Sequence, residues 1–256
     1  MRKILIFAKS PVQGSVKTRL KNETPLSEKE ILILYTAFLQ DTVTSSVQSK
    51  ADKIVISYFP VTSRKKMMAS LARSPFKNEL SAGRLSLIPQ HGETFEERVT
   101  MSVREIWGPA DSILVLGSDT PTLRPDIINK AFSFLRNRKE GMVLGPSGEG
   151  GVYLIGLKTK VSLNFQRIFD HGAEIENLVH LAKIKKLPIL ILEELTDVDI
   201  QTDLLTLVSN ITALQYSSRF QRDIFLPHKT IRVLKSLKLK VKRSGNNTRS
   251  KILSKE

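Results

Sequence analysis

Short apolar runs alternate with stretches of helical periodicity along most of the chain. This is the pattern of an α/β protein whose strands are joined by helices. Strands are predicted at residues 3–8, 53–59, 84–88, 112–116, 142–145, 152–157 and 188–192. The helical stretches between them carry start signals. Ser27-Glu28-Lys29-Glu30 reads as a capping box before an apolar-periodic run to about Ser49. Thr94-Phe95-Glu96-Glu97 is a second box, opening a helix to about Trp107. Pro125 stands at a first helical position, with the helix running to about Asn137. Residues 174–186 and 202–214 are further helices. Strands separated by helices predict parallel pairing, and ligands in such sheets bind beyond the carboxyl ends of the strands. Three loops expected there are unusual: 9–19, 117–121 and 145–151.

Each loop carries candidate chemistry. In Gly14-Ser15-Val16-Lys17-Thr18-Arg19, small residues allow close backbone approach, and the cations can neutralise a phosphate. The segment is not a Walker motif, because Val16 stands where that motif needs glycine. A plain solvated basic loop is the competing reading. In Leu116-Gly117-Ser118-Asp119-Thr120-Pro121 an apolar strand ends on an acid. Its carboxylate suits a hard cation such as Mg²⁺ or Mn²⁺, or it caps the proline turn that follows. Gly145-Pro146-Ser147-Gly148-Glu149-Gly150-Gly151 surrounds one acid with four glycines. Glu149, Gly150 and Gly151 form either a substrate pocket or a simple hairpin connection. In Asp197-Val198-Asp199 the alternation turns both acids to one side of an extended chain. Thr202 or Asp203 caps the helix after it in the simpler reading. The four histidines have no metal-ligand spacing, and there is no nucleophile elbow.

Composition adds compartment and charge. The chain of 256 residues has no cysteine, so disulfides and thiolate metal sites are excluded. No apolar stretch nears the roughly 20 residues of a membrane span, and Lys9 ends the first apolar run too early for a signal peptide. A cytoplasmic protein is expected. The net charge of +15 is concentrated at the end. Residues 1–227 are expected to form the working domain, and residues 228–256 a mobile basic extension, flexible around Ser244-Gly245-Asn246-Asn247. The extension carries ten cations and could grip nucleic acid. It could instead rest on an anionic membrane through a partial stripe of Ile231, Leu234, Leu237 and Val241. A solvated tail is the first reading.

The order of these segments is more specific than any one of them. Phe7-Ala8-Lys9-Ser10-Pro11, Gly14 to Leu20, Gly117-Ser118-Asp119-Thr120-Pro121, Gly150-Gly151-Val152-Tyr153 and Asp197-Val198-Asp199 follow one another over about residues 2–210. Together they resemble the glycosyltransferase-like proteins related to 2-phospho-L-lactate guanylyltransferase, of the arsenosugar-biosynthesis or radical-SAM-associated type. The segment Gln90 to Arg98 matches the family's glycine-containing helix entry. The resemblance implies a GT-A-like, Rossmann-type α/β sandwich with a mostly parallel central sheet flanked by helices. It implies a transferase using a nucleotide-sugar donor, or a nucleotidyltransferase acting on a small phosphorylated acceptor, with Mg²⁺ or Mn²⁺. In this chain Lys17, Thr18, Arg19, Gly117 and Ser118 would bind the nucleotide. Asp119 and Asp199 would be the catalytic, metal-facing acids. The chain departs from the family's pattern at Glu149, at Val152 and at Phe169 to Glu174, where aspartate, an aromatic and a tryptophan segment are usual.

Overall fold

The computed structural model describes residues 1–72, 76–108, 111–158, 165–169, 171–245 and 251–255. In chain order the elements are β1 (Arg2–Lys9), α1 (Thr18–Glu23), α2 (Glu28–Gln48), β2 (Lys53–Phe59), α3 (Arg64–Leu71) and α4 (Phe76–Ser81). There follow β3 (Leu85–Pro89), α5 (Phe95–Ile106), β4 (Ser112–Leu116), α6 (Pro125–Arg136), β5 (Gly141–Pro146) and β6 (Val152–Lys158). The last are α7 (Glu174–Ile184), β7 (Ile189–Ile191), α8 (Gln201–Ser217), α9 (His228–Leu237), β8 (Leu239–Arg243) and β9 (Lys251–Lys255). They form two compact units. One holds Met1–Ser10, Val43–Ser118 and Leu123–Leu195; the other holds Pro11–Thr42, Asp119–Thr122 and Thr196–Glu256.

The first unit is built on a seven-stranded sheet of order β3-β2-β1-β4-β6-β5-β7. Its pairings are parallel except those of β6, which runs antiparallel to both β4 and β5. This is the mostly parallel sheet expected, with β6 its antiparallel member. Only a short glycine turn joins β5 to β6, too few residues for the crossover that a parallel neighbour requires. Every residue of β4 is buried, as a central strand covered on both faces demands. Leu5, Val55, Ile113, Val115, Leu144 and Ile155 meet in one core with Val99, Val103 and Leu178 from the helices.

Sequence signals hold at the helix starts. Thr94 Oγ1 accepts from the Glu97 amide, and Glu97 Oε2 accepts from the Thr94 and Glu93 amides. Ser27 and Glu30 make the same reciprocal contacts ahead of α2. Pro125 opens α6. The short helices α1, α3 and α4 carry too few turns to leave a periodic signature.

The second unit has its own core. Leu20, Ile31, Leu34 and Phe38 pack with Val198, Leu204, Leu207 and Ile211. Ile231, Leu234, Leu237, Leu239 and Leu253 complete it. The segment expected to be a mobile extension is therefore corrected. Residues 228–245 and 251–255 supply a helix and a two-stranded hairpin to this core, and of the apolar stripe once open to a membrane Ile231, Leu234 and Leu237 are buried and Val241 partly so. Asp41 of α2 fixes the docking. Its carboxylate accepts from the Lys229 and Thr230 amides at 3.1 and 2.7 Å, filling two orphan donors at the start of α9. Of the stretch expected to be flexible, Asn246 and Asn247 lie outside the described residues. Among the described residues, no helix is long and apolar enough to cross a membrane.

Candidate functional site

Lys17 is the pivot. The chain turns at Gly14, whose φ of +75° suits glycine. Val16 and Leu20 anchor either side of the turn by burial. Lys17 between them adopts φ 47° and ψ 47° as the N-cap of α1. A left-handed lysine costs on the order of 1–3 kcal/mol, and such strain persists only where the surroundings impose it. Here it directs a side chain only 7% exposed into a cluster of acids.

Two carboxylates bind that ammonium directly. Lys17 Nζ lies 2.5 Å from Asp119 Oδ2 and 3.3 Å from Asp199 Oδ1. Arg19 binds the other oxygen of Asp199 at 2.6 Å. The Val198 amide donates to the Asp119 carbonyl at 3.1 Å, which ties the two acidic segments together. Val198 itself is fully buried, so Asp197 and Asp199 flank a fixed anchor. Asp203 Oδ2 accepts from the Asp199 and Ile200 amides, both at 2.9 Å, and sets the start of α8. Its role is that of a cap, as the simpler reading of this segment has it.

The electrostatics divide the acids. Burial opposes charge on Lys17, but Asp119, Asp197 and Asp199 together raise its pKa above the ordinary lysine value. Burial also opposes charge on Asp119, and the Lys17 ammonium overcomes it, holding Asp119 below the usual carboxylate range. Asp197 goes the other way. Burial and the neighbouring Asp119 charge push it up to about 9, so it carries a proton at neutral pH. Its Oδ1 is buried with no hydrogen-bond partner. The sequence ranks Asp199 above Asp197, whereas the structure brings both to Lys17. The signal for Asp197 was present in the Asp-Val-Asp alternation.

The donor set consists of carboxylate oxygens, the ligands that Mg²⁺ and Mn²⁺ prefer. Among the described residues, no three His, Asp or Glu side chains are arranged to hold a metal ion by themselves. The ammonium of Lys17 spans Asp119 and Asp199 instead. The residues fit a cation held by one or two carboxylates whose remaining ligands come from a bound phosphate.

Thr18 is exposed as the first residue of α1. Gly117 and Ser118 belong to the first unit, where the Gly117 amide donates to the Tyr153 carbonyl and Ser118 is buried. Glu149, Gly150 and Gly151 form the turn between β5 and β6 in that unit. The turn closes on itself, with Ser147 N bonded to Gly151 O and Gly151 N to Gly148 O. Glu149 is exposed at φ 57°, and Gly150 at φ +76° leaves no room for a side chain, since a Cβ there would sit 2.6 Å from that of Ala173. These glycines thus have a conformational reason of their own.

Residues 56–170 match a protein family described as "Uncharacterized protein conserved in bacteria (DUF2064)". The structure is similar to that of a Desulfovibrio desulfuricans G20 protein described as a "putative nucleotide-diphospho-sugar transferase". The two are 22% identical with a TM-score of 0.68, over 92% of this chain and 95% of that one. The two chains share a fold. A 4-diphosphocytidyl-2C-methyl-D-erythritol synthase from Anaerococcus prevotii is similar at 9% identity and a TM-score of 0.52, over 82% and 96% of the two chains. No curated protein sequence matches the chain. The likeness is one of fold, and the charged cluster is read from this chain's own residues.

Proposed function

We propose that the chain is a metal-assisted transferase acting on a nucleotide-sugar donor. The observation that carries this reading is the convergence of Lys17, Arg19, Asp119, Asp197 and Asp199. They come from three segments as much as 182 residues apart and form one half-buried charged cluster. The Desulfovibrio protein of the same fold carries a nucleotide-diphospho-sugar description, which supports the donor class.

In this proposal Asp119 and Asp199 hold Mg²⁺ or Mn²⁺ with the diphosphate. When bound, the metal supplies Lewis-acid stabilisation of charge on the phosphate oxygens. Lys17 and Arg19 offset phosphate charge as the leaving group departs. A fixed cation in a partly buried place does this better than one in water. Asp197 keeps its proton and so adds no third negative charge beside the diphosphate. No side chain of the cluster is needed as a nucleophile, and rate comes from positioning and electrostatics.

The same residues could serve nucleotidyl transfer, the reading favoured by the fold's likeness to the Anaerococcus synthase. The product separates the two. Nucleotide sugars and nucleoside triphosphates are presented with Mg²⁺ or Mn²⁺ and a panel of small acceptors. Release of nucleoside diphosphate is expected. Pyrophosphate release would replace sugar transfer with nucleotidyl transfer, and neither product across the panel would overturn the transferase reading.

A further inference from the structure

Between Asp223 and Glu256 the chain has no acidic residue, and ten of the intervening residues are lysine or arginine. Such a run is ordinarily a solvated tail. Its described residues are folded, and folding sorts them by chemistry. The apolar side chains Ile231, Leu234, Leu237, Leu239 and Leu253 go into the core of the second unit. Arg232 and Lys235 on α9, Lys238 just after it, and Lys242 on β8 are left exposed. Lys255 is paired with Glu30 at 2.7 Å. Among the described residues, Arg232, Lys235, Lys238 and Lys242 form no ion pair.

The hairpin adds an apolar element. Lys242 of β8 stands opposite Ile252 of β9 in the antiparallel register, so the two share a face. Ile252 is 39% exposed, on a face opposite to that of Leu239, Val241 and Leu253. An exposed branched aliphatic beside a lysine is poorly suited to nucleic acid. It can neither stack on a base nor accept or donate a hydrogen bond. Seven of the ten cations are lysines, point charges without the planar fork that favours arginine for reading bases and phosphates. Lysines around an exposed aliphatic suit a charged surface with an apolar interior.

We propose that the exposed basic face of α9 and the β8–β9 hairpin docks the protein on an anionic lipid bilayer. Attraction comes from the lysines, and Ile252 enters the headgroup boundary. The buried stripe of α9 takes no part, so docking requires no unfolding of the helix. The inference does not depend on the transferase reading.

The test uses the full chain, because removing the segment would strip five side chains from a core. Co-sedimentation is measured with phosphatidylcholine vesicles containing about 30 mol% phosphatidylglycerol, and with pure phosphatidylcholine vesicles. Binding to the anionic vesicles only is expected, weakening as salt is raised. Each lysine near the surface contributes roughly fivefold in affinity, so Lys235→Gln with Lys242→Gln should weaken binding by tenfold or more. Ile252→Asp should weaken it further. Circular dichroism melts of these variants should match the wild type, since all three positions are exposed. Three results overturn the proposal: no binding to anionic vesicles at about 0.1 M salt, equal binding to both vesicle types, or displacement from the vesicles by a single-stranded oligonucleotide at lower concentration than lipid.

Discussion

Replacing Lys17 by methionine tests the charged cluster without reference to any substrate. Methionine keeps the length and apolar stem of lysine and removes only the charge. The ammonium now lies 2.5 Å from Asp119 and 3.3 Å from Asp199, on a side chain that is 7% exposed. Arg19 contacts Asp199 alone and is 69% exposed, so it cannot neutralise Asp119. Removing one partner of a buried pair strands the other, at a cost of about 3–5 kcal/mol. For a chain of this size that corresponds to a melting temperature lower by about 6–20 °C. The loss should depend on pH. Without Lys17, burial of Asp119 is opposed only by hydrogen bonds from Asp197 and the backbone, and its folded pKa is expected to rise above the unfolded value. The folded variant then binds more protons than the unfolded chain, so its stability falls as pH rises. Urea unfolding at pH 7.5 and at pH 5.0 measures both effects. The deficit against wild type should be full at pH 7.5 and smaller at pH 5.0. A deficit under about 0.5 kcal/mol at pH 7.5, or an equal deficit at both pH values, would refute the assignment of Lys17 as the counter-charge.

Asp41→Ala leaves the Lys229 and Thr230 amides without their buried acceptor and should cost about 1–3 kcal/mol. Hydrogen exchange should rise first in α9, and protection there equal to wild type would contradict the capping role. Gly150→Ala forces a side chain onto a left-handed residue and against Ala173. A loss of about 1–3 kcal/mol is expected in thermal unfolding, against no loss if the glycine serves only a ligand. The Lys255 ammonium, helped by the Ser27 hydroxyl and amide, holds Glu30 down to about 2. The stability it adds is present above the unfolded carboxylate pKa and fades as pH falls toward 2. At this surface position it is under about 1 kcal/mol, so Lys255→Ala should alter acid unfolding only slightly and the difference should vanish in high salt. Asp119→Asn and Asp199→Asn should each lower product formation by 100-fold or more in the transferase assay. EDTA should do the same to the wild type, and full activity with the chelator would remove the metal from the proposal.

The strands and main helices were legible because their signals are local. Alternating and continuous apolar runs reported β1 to β7 to within a residue or two, and the boxes at Ser27 and Thr94 and the proline at 125 reported three helix starts. Lys17, Asp119 and Asp199 were legible as candidates, since each follows or precedes a recognisable turn. Three things were decided only in the folded chain. The placing of β6 between β4 and β5 pairs it with a strand that α6 and β5 separate from it in sequence, which no local signal reports. The proton on Asp197 followed from burial beside Asp119, which no spacing of 78 residues along a chain can reveal. The fate of the basic segment was the largest difference. Composition reads a lysine-rich end as solvated, because charge dominates an average taken along the chain. Its leucines and isoleucines recur at helical and strand spacing, and only the presence of a receiving core and the Asp41 carboxylate turned that spacing into packed structure.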